Sequence, residues 1–171
     1  MKITYLKLLS KSSTAFIDAA KRNRKNKNVY NSYVISSMIH SWVLLEAYVN
    51  YAADILSVSK IKEHERLLLL DKELRLNDDG EFKETVSHIP TLKKSLFVLH
   101  RFSKINSKKF KRDQLWNDIK NCERVRNTII HPKRVDIDKF NVKQAQIMRE
   151  SVINFIRKTN KAVFGKNIPI N

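Results

Sequence analysis

"VYNSYVISSMIHSWVLLEAYVNYAADIL", residues 29–56, contains neither glycine nor proline, so nothing in it interrupts a helix. At about 100° per residue, Ile35, Met38, Ile39, Trp42, Leu45, Val49, Ala53 and Leu56 fall on one side, which must be covered by other apolar surfaces. The chain around this stretch is of the same kind. Among 171 residues there are only 2 Gly and 3 Pro, too little turn chemistry for a many-stranded sheet. The expected fold is all-α, a single bundle of about five to six helices. The length suffices for one sizeable core and is short for two. The expected division is a basic N-terminal helix and loop over 1–28, a bundle core over 29–163 and a short tail over 164–171.

Working outward, residues 4–25 place Ile3, Leu6, Leu9, Phe16, Ile17 and Ala20 at irregular helical spacing beside the basic run "KRNRKNKN". Residues 1–27 are nearly free of acid, as in organellar transit peptides, although a first helix is the plainer reading. After the central stretch, "KIKEHERLLLLDKELRL" is charged and amphipathic and stops at "NDDGEF", where a turn is expected. Pro90 suits the first turn of a helix over "TLKKSLFVLHRFSKI". A lysine-rich connector, 106–112, leads to a helix that starts near Asp113 and stops at His131, because Pro132 disfavours helical geometry in the residue before it. A last helix over about 139–163 presents Phe140, Ile147, Val152, Phe155 and Ile156, and Gly165 can close it.

The 34 basic and 17 acidic residues leave a formal charge of +17, which favours an anionic partner such as RNA, DNA or a lipid surface. No apolar run approaches the roughly 18–20 residues of a membrane-spanning helix. Cys122 is the single cysteine, so no disulfide framework or thiolate metal cluster is expected, and a reducing, cytoplasmic setting is the simplest one. His40, His64, His88 and His100 lack metal-ligand spacing. Nothing in the pattern asks for a metal or a cofactor.

In the helix before Pro132, Leu115, Ile119, Cys122, Ile129 and Ile130 share one arc, flanked by Trp116 and Val125, and Arg126 falls near its centre. A charge there needs a partner. Glu46, amid the apolar side of the central stretch, is one candidate, and Glu123, one turn before Arg126, is the other. Lys120, Arg124 and Asn127 border the arginine as a polar ledge, and Lys133 and Arg134 extend it as RNA-binding candidates. His131 is placed to turn towards the same ledge. An imidazole exchanges protons near neutral pH, and an arginine stabilises charge that builds on phosphorus. A salt bridge that only fixes helix register explains Arg126 as well.

The run "RNTIIH", residues 126–131, resembles the signature of the HEPN superfamily: an Arg, a polar residue, three further residues and a His. Those domains are small helical bundles with the signature late in a helix, and an earlier apolar helix often carries acid, as "WVLLEAYVN" does here. The resemblance implies a metal-independent endoribonuclease of the toxin or antiphage-defence kind. It would act as a homodimer whose signatures share a groove, with an antitoxin or other defence-system protein as a further partner. Arg126 and His131 match the catalytic pair, and Asn127 the intervening polar position. Lys133 stands where HEPN toxins paired with nucleotidyltransferase antitoxins carry Tyr. Two other functions stay open: a non-catalytic helical module that binds nucleic acid or protein, and a regulatory subunit whose arginine pocket holds a nucleotide.

Overall fold

The central stretch forms helix α2, Lys27–Ser57, entered from Asn26, whose side chain accepts a hydrogen bond from the Val29 N–H. In this computed structural model, which describes residues 2–131 and 139–170, α2 is buried on more sides than one apolar stripe would require. Val34, Met38, Trp42, Leu45, Val49, Ala53 and Leu56 lie in the interior together with Ser37, Ser41, Leu44, Tyr48 and Ala52. Ile35 and Ile39, expected on the same side, are only partly buried. A helix covered in this way must have neighbours all round it, and the other long helices supply them.

Helix α1, Lys2–Arg22, packs along α2. Small residues let the two backbones come close. The Ser13 and Ser41 hydroxyls meet at 2.9 Å, and Ser37 Oγ donates to the Ser13 carbonyl at 2.9 Å, all in the interior. Hydrogen-bonded hydroxyls at a helix crossing cost little to bury. Leu6, Leu9, Ile17 and Ala20 of α1 join the main hydrophobic cluster, and so do Ile168 and Ile170 of the tail. The core therefore draws on α1 and the tail as well as on 29–163.

The remaining helices among the described residues are α3, Glu63–Leu69, α4, Thr91–Phe102, α5, Ser107–Phe110, α6, Gln114–Ile130, and α7, Val142–Phe164. Five of the seven are long, so the protein is an all-α bundle, as its composition indicates. Helix α6 is capped by Asp113, whose side chain accepts from the Leu115 N–H. Lys158 of α7 meets the same carboxylate at 2.6 Å and holds it below the usual carboxylate range. Helix α7 ends at Gly165, with φ of 67°, a left-handed conformation that glycine adopts without strain. Phe110, in the middle of the basic connector, is buried against Trp116 and Phe155. The "KRNRKNK" run, residues 21–27, is largely exposed.

Among the described residues one segment forms strands. The amphipathic stretch after α2 divides at Asp71, which takes a positive φ of 55°, uncommon but tolerated by Asp. Strand β1, Lys72–Leu76, pairs antiparallel with β2, Phe82–Val86, through a turn over Asn77–Gly80. Asp71 ties the root of this hairpin to α4. Its carboxylate accepts from Lys94 Nζ at 2.5 Å and from the Ile89 N–H at 3.3 Å, and its carbonyl accepts from the Ser87 N–H at 2.8 Å. Lys94, only 2% exposed, also donates to Asn50 Oδ1 on α2 at 3.2 Å.

Removing Asp71 would strand a buried ammonium, whereas removing Lys94 would leave a carboxylate that water can reach. Asp71→Ala is expected to cost about 3 kcal/mol, and Lys94→Met about 1 kcal/mol. Urea denaturation of the two variants checks the order. Equal losses would show that the pair is not asymmetric in this way.

Candidate functional site

Helix α6 carries the expected motif. It runs to Ile130, and His131 caps it with φ −118° and ψ 67°, its N–H still bonded to the Asn127 carbonyl. The apolar arc is buried only in the first turns, at Trp116, Ile119 and Cys122. Leu115, Val125 and Ile129 are partly covered, and Ile130 is exposed. The reason lies in the neighbours. Helix α7 packs along α6, Trp116 against Phe155 and Cys122 against Met148, while the face that bears Arg126 borders a polar cleft of about 300 Å³. Arg126, expected near the centre of a core face, instead lines this cleft with its side chain 29% exposed.

Three parts of the chain meet in the cleft. Helix α2 provides Trp42, Glu46 and Asn50, α6 provides Glu123, Arg126 and Asn127, and the stretch from the hairpin into α4 provides Asp71, His88 and Lys94. Of the two acids considered for Arg126, Glu46 makes the ion-pair contact, with Oε1 3.8 Å from Arg126 Nη2. That distance gives Coulombic attraction but no hydrogen bond. The same oxygen accepts a short bond, 2.6 Å, from the Trp42 indole N–H, so the indole fixes Glu46 more firmly than the arginine does.

The guanidinium is poorly satisfied. Nη1 donates to Asn127 Oδ1 at 3.0 Å, and Nε is buried without a hydrogen-bond partner. An arginine has five N–H donors, and a buried donor left unmade costs about 1–3 kcal/mol. An anion entering the cleft would meet a cation held in place with donors to spare. Glu123 lies on the same wall. Burial raises its pKa above the ordinary glutamate value, and the charge of Arg126 opposes the rise.

The cleft thus unites Arg126, Asn127, Glu46 and Glu123. His131 is exposed at the helix end, outside the residues that line the cleft. Lys120 and Arg124 are exposed on α6. Lys133 and Arg134 lie outside the described residues. Asn50, Asp71 and Lys94 went unnoticed in the sequence, and His88 was weighed only as a metal ligand; no local pattern marks them, because the hairpin and the Pro90 turn bring Asp71, His88 and Lys94 to α2 and the motif from elsewhere in the chain. Cys122 is buried, and burial pushes its thiol up to about 12, so it stays protonated at neutral pH. Among the described residues no group of three or more His, Cys, Asp or Glu is arranged to hold a metal ion, and no helix is long and apolar enough to cross a membrane. No family model, curated protein or solved structure matches this chain.

Two measurements follow from the cleft. Glu46→Ala leaves the indole N–H of Trp42 without its acceptor and is expected to cost about 1–2 kcal/mol. Glu46→Gln keeps an acceptor and should cost less. A double-mutant cycle of Glu46 with Arg126 should give a coupling of only about 0.5 kcal/mol, as for other half-exposed pairs. A coupling several times larger in thermal denaturation would mean a closer contact in solution. For Glu123, the raised folded pKa means that the folded state holds the proton more tightly than the unfolded chain. Its favourable contribution is complete below the unfolded value, about 4.3, and is lost as pH rises through the folded value. Glu123→Gln should therefore raise the melting temperature at pH 7 relative to the wild type, with the difference fading towards pH 4. A gap that persists at low pH would assign the effect to packing.

Proposed function

We propose that this protein is a metal-independent endoribonuclease that cleaves RNA by attack of a 2′-hydroxyl on the adjacent phosphorus, acting as a toxin or defence effector. The observation that carries the reading is the state of Arg126, a half-buried guanidinium at the wall of an open polar cleft, its Nε buried and unpartnered. A phosphate there would accept from the exposed part of the guanidinium, and the extra negative charge formed during attack would be held by the same group. The formal charge of +17 favours an RNA backbone as ligand.

In the reaction the 2′-oxygen bonds to phosphorus while the bond to the 5′-oxygen breaks, leaving a 2′,3′-cyclic phosphate and a 5′-hydroxyl. One proton leaves the 2′-oxygen and one reaches the 5′-oxygen. His131 serves one of these transfers. In a two-fold homodimer the partner's His131 serves the other. Asn127 orients the guanidinium through its 3.0 Å bond. Lys120 and Arg124, with Lys133 and Arg134, attract the flanking backbone. An antitoxin or other defence protein would be the natural regulator of such an activity, and the cytoplasm its setting.

A second reading, a helical module that binds RNA without cutting it, is favoured by the exposed position of His131 outside the cleft. One experiment separates the two. Arg126→Ala and His131→Ala should each reduce cleavage of a single-stranded RNA at least about 100-fold, with helicity retained by circular dichroism, and EDTA should leave the wild type unaffected. Toxicity on expression should vanish in His131→Ala, and a heterodimer of the two inactive variants, which keeps a single His131 for two proton transfers, should stay inactive. Inhibition by EDTA that a divalent ion reverses would overturn the mechanism. RNA binding without cleavage in the wild type would establish the module instead.

A further inference from the structure

The hairpin is the one acidic segment of a strongly basic protein. Residues 71–86 hold six acidic and three basic side chains, whereas the rest of the chain holds 31 basic and 11 acidic. Its register sets Lys72, Leu74 and Leu76 opposite Val86, Glu84 and Phe82 on one face. The apolar members of that face are open to solvent, with Phe82 72% and Val86 85% exposed. The turn adds exposed Asp78, Asp79 and Glu81. Among the helices it packs chiefly against α3, near its root. A two-stranded hairpin is marginal by itself in water, and a contiguous exposed apolar patch marks a surface that something covers.

The complement of this arm is present on the same chain. Residues 1–17 contain no acid, and α1 exposes Ile3, Tyr5 and Leu8 beside exposed Lys7 and Lys11. Tyr5, Leu8 and Lys11 recur every three residues, so they form one stripe along the helix. Apolar groups with cations on α1 match apolar groups with anions on the hairpin, in charge and in kind. We propose that the hairpin is an arm that docks on α1 of a second copy of this chain, reciprocally, in a two-fold dimer.

The arm reaches about 17 Å beyond its root, five strand residues at about 3.3 Å each. Its root is anchored by the bond between Lys94 and Asp71, and Asp71 and His88 line the Arg126 cleft. Docking would hold that wall of the cleft still. The inference concerns assembly and stands apart from any cleavage, so it survives if the protein proves not to be a nuclease.

Sedimentation velocity of the full chain tests it. The wild type should be a dimer at micromolar concentration. Leu76→Ser with Phe82→Ser, and separately Tyr5→Ser with Leu8→Ser, should each weaken it at least about tenfold. These positions are exposed, so helicity should be kept. If a serine pair unfolds the chain, Lys7→Glu with Lys11→Glu, or Asp78→Lys with Asp79→Lys, replaces it with the same expected weakening. Carbodiimide cross-linking of isotopically distinct chains should join Asp78, Asp79 or Glu81 of one copy to Lys7 or Lys11 of the other. A monomeric wild type, or a dimer that all these variants leave unchanged, overturns the proposal. A dimer weakened by the arm substitutions alone overturns α1 as the docking face.

Discussion

Burying α2 on nearly every side is the constraint from which the rest of the structure follows. A helix of this length with Val34, Leu44, Leu45 and Tyr48 all in the interior cannot rest on a single neighbour, so α1, α4, α6 and α7 pack around it. Apart from the hydrogen-bonded serines at the α1 crossing, polar groups of α2 are accommodated where the helix faces gaps between those neighbours. Trp42, Glu46 and Asn50 occupy such a gap, at i, i+4 and i+8 along the helix, and they become one wall of the cleft. The site is thus a consequence of where the bundle fails to close.

Electrostatics in the cleft are balanced rather than saturated. Arg126 and Lys94 share the space with Glu46, Asp71 and Glu123, yet the two cations are treated differently. Lys94 is deeply buried and directly bonded to Asp71 and Asn50, and its work is to fix the hairpin root. Arg126 is closer to solvent, touches Glu46 at the long end of ion-pair range and keeps a buried donor unpaired. A purely structural arginine would gain by satisfying that donor. Its exposed edge, 29% of the side chain, is where an incoming anion would be met.

The hairpin joins the two themes. Its root includes cleft residues, and its tip carries exposed Asp78, Asp79 and Glu81. In a protein whose charge otherwise repels its own kind, a local reversal of sign beside exposed leucine, phenylalanine and valine would give two copies a specific way to associate despite that repulsion.

Much of the architecture was legible in the sequence because helix formation is a local matter. The scarcity of Gly and Pro, the uninterrupted run over 29–56, the helix start near Asp113, Pro132 as a stop after His131 and Gly165 as a close each act within a turn or two. They fixed the bounds of α6 and brought Arg126 and Glu46 into the same expectation. The hairpin was missed because "DKELRL" has an amphipathic pattern that suits a helix or a strand, and the choice turned on Asp71 adopting a left-handed conformation stabilised by Lys94 from another helix. The burial of Arg126 was overestimated for a related reason. Periodicity shows which residues share a face, but how deeply that face is covered depends on which neighbours pack along each turn. Asn50, Asp71, His88 and Lys94 entered the cleft through contacts between segments far apart in the chain, and those contacts are decided by three-dimensional packing of the whole bundle, which no local pattern encodes.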